Sequence, residues 1–348
     1  MSTAPSPALT RLAGIEWMRG VAAFGVICIH AGLAVHNHTT TAAGILLPDL
    51  FGFAVSFFLV TAFFFAIRAE EKAWLSWADW SQRHAWRLLV PFVFWSGVYL
   101  ALHVGKLLLH HQGHELAAIF QDPADLILKG GTSLALYFLP LVFVGLVLIH
   151  LLAGTLKRLP SWALALAFIA ALVLRALWAE HGIDHLHSPS LSEAPLKLAL
   201  GLIEYGIRCL PLIFAAMLLA RHLPPPSIRI AYPFIIAGAI YLIVPQFLSP
   251  PACAADSVLG TGAFLLAWGL SGLLPASKWA VTVGLFSYGV YLVHQVFLEL
   301  IQMVYPDRAP AGVIVILVIT TAVYILSMLT VAVASRGGFM MRSIFGLK

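Results

Sequence analysis

Ten long apolar runs, separated by short polar or proline-containing segments, dominate this sequence. Runs of this length match the hydrocarbon thickness of a bilayer, where the backbone has no water to bind and is stable as a helix. They fall at 13–35, 45–67, 88–109, 133–156, 161–178, 197–220, 230–248, 257–274, 280–301 and 312–334. The sequence therefore predicts an all-α, polytopic transmembrane helical bundle of about ten spans.

The composition supports a membrane protein. Of the residues, 61% are hydrophobic and 10% are charged, and the net charge is +5. Those values exclude an ordinary soluble enzyme. No contiguous basic stripe with interleaved aromatic residues is present, so we expect the lipid bilayer rather than nucleic acid as a partner. The polar leader lacks a small-residue cleavage site after an apolar core, so we interpret the first span as retained.

Lysine and arginine are distributed unevenly between the segments that join the spans. Positive residues accumulate on the cytoplasmic side of a membrane. With the N-terminus inside, thirteen of the 20 fall on the inner side, and both termini are predicted to be cytoplasmic. The inner set is Arg11, Arg68, Lys72, Arg83, Arg87, Lys157, Arg158, Arg221, Arg229, Lys278, Arg336, Arg342 and Lys348. The outer set is Lys106, Lys129, Arg175, Lys197 and Arg308, and Arg19 and Arg208 lie within spans.

Histidines collect on the outer side. Two of the patterns there, HHxxH and HxxxHxH, would bring imidazoles together as zinc sites do. No cysteine accompanies them and no HExxH pattern occurs, so we interpret them as polar loop residues and predict no metal site. The set is His36, His38, His110, His111, His114, His181, His185 and His187.

The first span carries three ionisable residues, Glu16, Arg19 and His30. Arg19 and His30 are eleven positions apart, about three helical turns and ~16 Å along the axis, so they lie near one stripe of the helix. The alternative is structural: Arg19 reaches the interface beside Glu16, and His30 is a satisfied polar contact. Because ionisable groups inside a span usually mark a site, and these two share a face, we favour a functional interpretation.

Arg83 and Arg87 lie in RHAWRLLVPF, at the start of the third span. Two guanidiniums one helical turn apart can bracket a phosphate with forked hydrogen bonds. The same residues also fit a positive anchor at a helix start. The two interpretations are compatible, and the sequence does not choose between them.

The ninth run, GLFSYGVYLVHQVFLE, contains Ser287, Tyr288, Tyr291 and His294. Tyr291 and His294 are three positions apart and share a helix face, with Tyr288 one turn earlier. The alternative is an aromatic belt with an interfacial histidine.

Two more candidates lie within other spans. Glu204 and Arg208 are four positions apart in one run, and the spacing predicts an intramembrane ion pair near the site. His150, in the fourth span, is a weaker candidate for a site residue.

Four strings of the sequence resemble the acyltransferase-3 family. IEWMRGVAAFGVICIHA is similar to its opening helix, with an acidic-x-x-Arg-Gly start and an Arg-x10-His spacing. GFAVSFFLVTAFFFAIR and RHAWRLLVPFVFW resemble its second and third helices, and GLFSYGVYLVH resembles its Gly-x-x-Ser-Tyr-x-x-Tyr-Leu-x-His helix. The chain departs from the pattern at Glu16 and Met18, where the family usually has Asp and Leu, and at Thr61-Ala62, where Ser-Gly is common.

The resemblance implies a single membrane domain over 1–348, with a core at 13–335 and no appended soluble domain, in a bacterial inner membrane. It implies O-acylation of a surface or exported carbohydrate, with an acyl-CoA on the cytoplasmic side, expected to be acetyl-CoA, as donor and no metal. Arg19 and His30 would be essential, with His30 the catalytic centre and Glu16 beside Arg19. Arg83 and Arg87 would bind the donor. The supporting residues would be Ser287, Tyr288, Tyr291, His294, Glu204 and Arg208.

Other functions remain open from the residues themselves. His30 would act as a general base, since an imidazole can accept a proton near neutral pH, or as a transient acyl carrier. A secondary transporter or proton or anion relay could instead use Arg19, His30, Glu204 and Arg208. A structural or sensory membrane subunit is the third possibility.

Overall fold

A computed structural model describes residues 11–35, 47, 49–119, 123–129, 135–181, 194–248, 252–304 and 312–347. Within these ranges the regular secondary structure is helical, without a strand. Ten helices are long, and we number them in chain order. They are α1 Ala13–Val35, α2 Ala54–Lys72, α3 Val90–Leu109, α4 Phe138–Leu156, α5 Ser161–His181, α6 Ala194–His222, α7 Ile228–Leu248, α8 Ala252–Ser271, α9 Lys278–Val304 and α10 Val313–Ala334.

Each apolar run of the sequence overlaps one of these helices, so the prediction of an all-helical membrane fold is confirmed. Among the described residues, seven segments are long and apolar enough to cross a membrane. They are Trp77–Leu109, Phe138–Leu156, Ser161–Ala179, Ala194–His222, Ile228–Leu248, Lys278–Met303 and Val313–Ala334. The count of ten spans and the cytoplasmic termini stay predictions.

The largest boundary difference is in the second run. The sequence predicts a span over 45–67, whereas α2 covers Ala54–Lys72. A turn over residues 51–53 precedes the helix. The Gly52 amide donates a hydrogen bond of 3.0 Å to the Asp49 carbonyl at the start of this turn. At its other end the helix continues through the charged residues Arg68, Glu70 and Lys72, which the apolar pattern alone does not include.

Successive helices alternate in direction, and contacts between their ends define two ends of the bundle. At one end, Lys157 donates to the Glu70 carbonyl at 3.0 Å and Arg221 donates to the Leu159 carbonyl at 2.6 Å. At the other end, Lys106 contacts Glu299 at 3.1 Å. The first end, which we call the basic end, carries the residues that the sequence assigns to the cytoplasm.

Helix α1 packs in parallel against α9, and small residues make that approach possible. A methyl group at Gly284 would lie 1.7 Å from the Glu16 carboxylate, and one at Gly20 would lie 2.2 Å from Val283. Small residues commonly allow such close packing between helices in membranes, where dispersion contacts drive association. We call this interface the α1–α9 seam. It brings together the motif of the first span and the motif that contains Ser287 to His294.

A short helix at Trp77–His84 and a π-helical turn at Ala85–Leu89 precede α3. The Ser76 hydroxyl caps the short helix by accepting from the Asp79 amide at 3.2 Å. Proline in the first turn of α3 is tolerated, because amides there have no helical partner. The sequence predicted Arg83 and Arg87 one regular turn apart, but the π turn places them on two differently wound segments. Single π turns are often found at functional sites.

Candidate active site

A pair of histidines lies in the seam between α1 and α9. The rings of His30 and His294 are 5.4 Å apart between centroids, and their planes are tilted by 38°. His30 is half-buried, whereas His294 is completely buried. Ten positions in α1 and eleven in α9 separate this pair from the contact between Gly20 and Val283, and two parallel packed helices require such matched spacings.

The hydrogen bonding of His294 leaves one of its nitrogens available. Its Nδ1 lies 2.6 Å from the Tyr291 carbonyl oxygen. A carbonyl only accepts, so this contact assigns the proton to Nδ1 and leaves Nε2 as an acceptor in the neutral ring. Nε2 is buried and has no hydrogen-bond partner among the described residues. Buried polar atoms are rarely left in this state, which makes the atom a candidate for contact with a substrate.

Tyr291 forms the wall next to the histidine pair. Its ring lies 5.8 Å from that of His294 and 5.2 Å from that of Phe138, which begins α4. The residue is 5% exposed, and its buried hydroxyl has no partner within the described part of the chain. The site therefore holds a second polar atom that a bound substrate could satisfy.

At the basic end of the seam, Glu16 and Arg19 form the ion pair that their spacing predicts, with Nη1 and Oε2 3.5 Å apart. Arg19 keeps 29% of its side chain exposed, and Arg87 is close enough for the two positive charges to interact. Tyr288 connects the same segments, because its hydroxyl donates to the Arg87 carbonyl at 3.3 Å. Glu16, Arg19, Arg87 and Tyr288 are therefore brought together as one basic end of the site.

The C-terminal segment closes this end of the molecule. The Trp95 indole donates to the Ile344 carbonyl at 2.8 Å, and the Phe345 ring lies 5.3 Å from that of Trp95. Gly346 has a φ of +65°, where glycine is favoured, and a methyl group there would lie 2.1 Å from the Tyr288 ring. The segment thus packs against α3, which follows the π turn that carries Arg87, and against Tyr288 of α9.

Some predicted residues lie apart from the histidine pair. Arg83 is exposed on its short helix. The Ser287 hydroxyl is buried and donates to the Gly284 carbonyl of its own helix at 2.8 Å, a common use of a helical serine.

The predicted Glu204–Arg208 ion pair is wrong. Glu204 is exposed, and the carboxylate next to Arg208 is Asp256 of α8, with Nη2 and Oδ2 3.9 Å apart. The physical reason is that Arg208 lies over the Tyr137 ring, at 5.3 Å from its centroid, and so turns into the bundle and away from Glu204. Asp256 also binds Arg175 at 2.7 Å. Nothing in the sequence singled out Asp256 or Arg175, because α5, α6 and α8 are brought together only by the fold.

The sequence named His150 as a weaker candidate but did not predict the residues that surround it. His150 is 1% exposed, and its Nδ1 lies 3.0 Å from the Glu70 carboxylate. Its ring is stacked between Trp74, at 4.7 Å, and Trp80, at 5.0 Å, with Trp77 edge-on at 4.6 Å. The dense tryptophans at 74, 77 and 80 were the available signal. This cluster fixes the short helix that precedes Arg87.

The outer histidines form no metal cluster that the structure describes. Within the described ranges, no group of three His, Cys, Asp or Glu side chains could hold a metal ion. His36, His38, His185 and His187 lie outside those ranges.

Comparison with models of protein families identifies the family of this chain. The model of the acyltransferase-3 family, described as an acyltransferase domain, matches residues 12–334. The chain belongs to the acyltransferase-3 family. No curated protein and no solved structure matches it significantly. Membership indicates a multi-pass membrane acyltransferase, and the matched range includes α1, α9 and the histidine pair between them.

Proposed function

We propose that this acyltransferase-3 protein transfers an acetyl group from acetyl-CoA to a hydroxyl of an exported or cell-surface carbohydrate, with His30 as the catalytic centre. The observation that carries the proposal is the His30–His294 pair, with ring centroids 5.4 Å apart, beside the Nε2 of His294 and the Tyr291 hydroxyl, neither of which has a hydrogen-bond partner among the described residues. A transporter or relay would use the same ionisable residues, but family membership favours group transfer.

The basic end would bind the donor. The phosphates of acetyl-CoA are anionic, and Arg19, Arg83 and Arg87 provide cations where the sequence predicts the cytoplasm. Guanidiniums suit phosphates because their forked donors match two oxygens at once. A donor held there could extend its acyl arm along the α1–α9 seam, over the ~16 Å between Arg19 and His30. Donor and acceptor would then reach one site from opposite ends.

Direct transfer would proceed with His30 as a general base. His30 removes the proton of the acceptor hydroxyl while its oxygen attacks the thioester carbonyl carbon. The Tyr291 hydroxyl is placed to donate to the oxyanion that develops on the carbonyl oxygen. Collapse of the intermediate breaks the carbon–sulfur bond, and the leaving thiolate takes the proton from His30. The products are the acetyl ester and coenzyme A.

The second route is nucleophilic. A neutral His30 nitrogen attacks the thioester carbonyl carbon, the carbon–sulfur bond breaks, and the leaving thiolate takes the proton from the other ring nitrogen. The acceptor hydroxyl then attacks the acetyl-imidazole, and its proton returns to the imidazole as the acetyl ester forms. Rapid quenching in the absence of an acceptor distinguishes the routes, because only the second accumulates protein that carries a radiolabelled acetyl group.

The proposal is tested with purified full-length protein in lipid vesicles and radiolabelled acetyl-CoA. We expect time-dependent transfer of the label to a carbohydrate acceptor from a mixed pool of cell-envelope glycans. A heat-denatured sample is the blank. Transport of an ion or solute across the vesicle membrane, with no release of coenzyme A under any acceptor, would replace the acyltransferase proposal by the transporter.

A further inference from the structure

Two arginines share one carboxylate in the half of the bundle that contains the histidine pair. Arg175 of α5 donates to Asp256 of α8 at 2.7 Å and to the Ser257 hydroxyl at 3.4 Å. Arg208 of α6 lies 3.9 Å from the same Asp256 oxygen. That distance is too long for a hydrogen bond, so Asp256 binds Arg175 closely and Arg208 only by charge.

The group has an excess positive charge. Arginine stays protonated in proteins, so two guanidiniums and one carboxylate leave a net charge of +1 among these described residues. Glu204 is exposed and does not complete the pairing. An uncompensated arginine within a membrane-spanning helix is costly and usually marks a ligand site.

The excess charge lies close to the proposed chemistry. The Arg208 guanidinium is 5.3 Å from the centre of the Tyr137 ring. Tyr137 precedes Phe138, whose ring contacts that of Tyr291 at 5.2 Å. The Tyr291 ring lies 5.8 Å from that of His294, so the rings of Tyr137, Phe138 and Tyr291 connect Arg208 to the histidine pair. Arg208 keeps 30% of its side chain exposed, which leaves part of the guanidinium open to a ligand.

We propose that Arg208, held in place by Asp256 and Tyr137 and assisted by Arg175, binds an anionic group of the acceptor. The ligand chemistry is a sugar carboxylate or a glycosyl phosphate, both of which match the forked donors of a guanidinium. An acceptor whose anion is bound there would extend along Tyr137 and Tyr291 and present one of its hydroxyls to His30. This inference rests on the proposed function and specifies its substrate class as an acidic carbohydrate.

The test measures equilibrium binding to purified full-length protein without any acyl donor. The probes are methyl glucuronide, glucose 1-phosphate and the neutral methyl glucoside. We expect at least one anionic probe to bind more tightly than the glucoside. Arg208→Gln should weaken that binding about tenfold, as loss of a charged hydrogen bond does, and leave the glucoside unchanged.

Matched variants separate a binding site from a structural ion-pair network. Arg229→Gln also removes one positive charge, from an exposed position on α7, and should leave the affinities unchanged. Asp256→Asn removes the competing negative charge while the Tyr137 ring still positions Arg208, so anion binding should be retained or strengthened. Arg208→Lys keeps the charge but loses the forked geometry, so its affinity should be intermediate. If the glutamine variant fails to fold, the lysine variant still shows whether Arg208 contributes to the affinity for the anionic probe.

The outcomes are separable. A preference for the glucuronide identifies a sugar carboxylate, and a preference for glucose 1-phosphate identifies a glycosyl phosphate. Equal binding of all three probes, or anion binding that neither Arg208 variant changes, overturns the anionic subsite. Arg208-dependent anion binding without any acyl transfer counts against the proposed function alone. Transfer to a neutral acceptor that Arg208→Gln does not alter counts against the subsite alone.

Discussion

The two ends of the α1–α9 seam differ in how they expose their polar groups. At the basic end Arg19 keeps 29% of its side chain exposed, and Arg83 and Arg87 are exposed as well. At the histidine end His294 is fully buried and Tyr291 is 5% exposed. Exposed cations can bind and release a charged ligand, whereas buried polar atoms without partners are costly and are retained where they act on a substrate. The difference supports the proposal that one end binds the donor and the other carries out the chemistry.

The prediction with the largest effect concerns membrane topology: we expect the basic end to face the cytoplasm and the histidine end to lie toward the outer side. We expect reporter fusions after residues 114, 187 and 254 to be external and fusions after residues 76 and 226 to be internal, because positive residues stay in the cytoplasm. The measurement is the activity of paired reporters that function only outside or only inside. External signals after 76 and 226 would reverse the roles of the two ends.

The next largest effect is at His30. We expect His30→Ala to lower kcat about 10³-fold, the range of general-base catalysis, at unchanged membrane abundance. The readout is acetyl transfer at saturating donor. His222→Ala, an exposed histidine at the basic end, serves as the control. Near-normal transfer by the His30 variant would reduce the residue to a structural contact.

Tyr291→Phe tests the other buried group of the histidine end. Loss of a hydrogen bond made in the transition state should lower kcat by about 100-fold with little change in KM for the donor. Tyr232→Phe removes a hydroxyl from an exposed ring and should behave as wild type. A change in KM without a change in kcat would place Tyr291 in ground-state binding.

Arg83 and Arg87 test the basic end. We expect the double variant Arg83→Ala/Arg87→Ala to raise KM for acetyl-CoA about tenfold or more with kcat little changed, because phosphate contacts are similar in the ground and transition states. Arg87→Lys should be partly defective, since it keeps the charge but loses the fork.

The control for that prediction removes two exposed arginines at the same end, in Arg158→Ala/Arg229→Ala. If the Arg83/Arg87 variant lost kcat at saturating donor with its donor affinity intact, the division between a binding end and a chemical end would fail.

The smallest expected effect on activity is at the tryptophan cluster. His150→Ala leaves the buried Glu70 carboxylate without its partner and empties the space between Trp74 and Trp80. We expect a destabilisation of about 2–4 kcal/mol, seen as a lower thermal midpoint in detergent. Any change in activity should appear in KM for the donor, since the cluster supports the Arg87 segment. A kcat defect at normal stability would give His150 a direct role in chemistry.

The local patterns were the most predictable part of this protein. Hydrocarbon allows a lone apolar segment only a helix, so the ten runs predict the helices with errors confined to their ends, as at Ala54. The Glu16–Arg19 pair was predictable for the same reason, because one helix fixes both residues. The π turn between Arg83 and Arg87 was not, since its winding depends on how the segment packs.

Contacts between helices were the unpredictable part. The Glu204–Arg208 spacing is ideal for a pair, yet Arg208 lies with Tyr137 and Asp256, whose positions depend on other helices. Glu70 and His150 are 80 residues apart, and no periodicity in either helix connects them.

The sequence by itself determined the helices, the membrane class, the family and the placement of Arg19 and His30 on one helix, because each follows from short-range spacing along the chain. Only the tertiary structure decided that α9 lies parallel to α1 and brings His294 to within 5.4 Å of His30. Only it decided that Asp256 is shared by Arg175 and Arg208. The physical reason is that helix packing is set by the shapes of many small contacts, such as Glu16 against Gly284, and these carry no signal at fixed sequence separation.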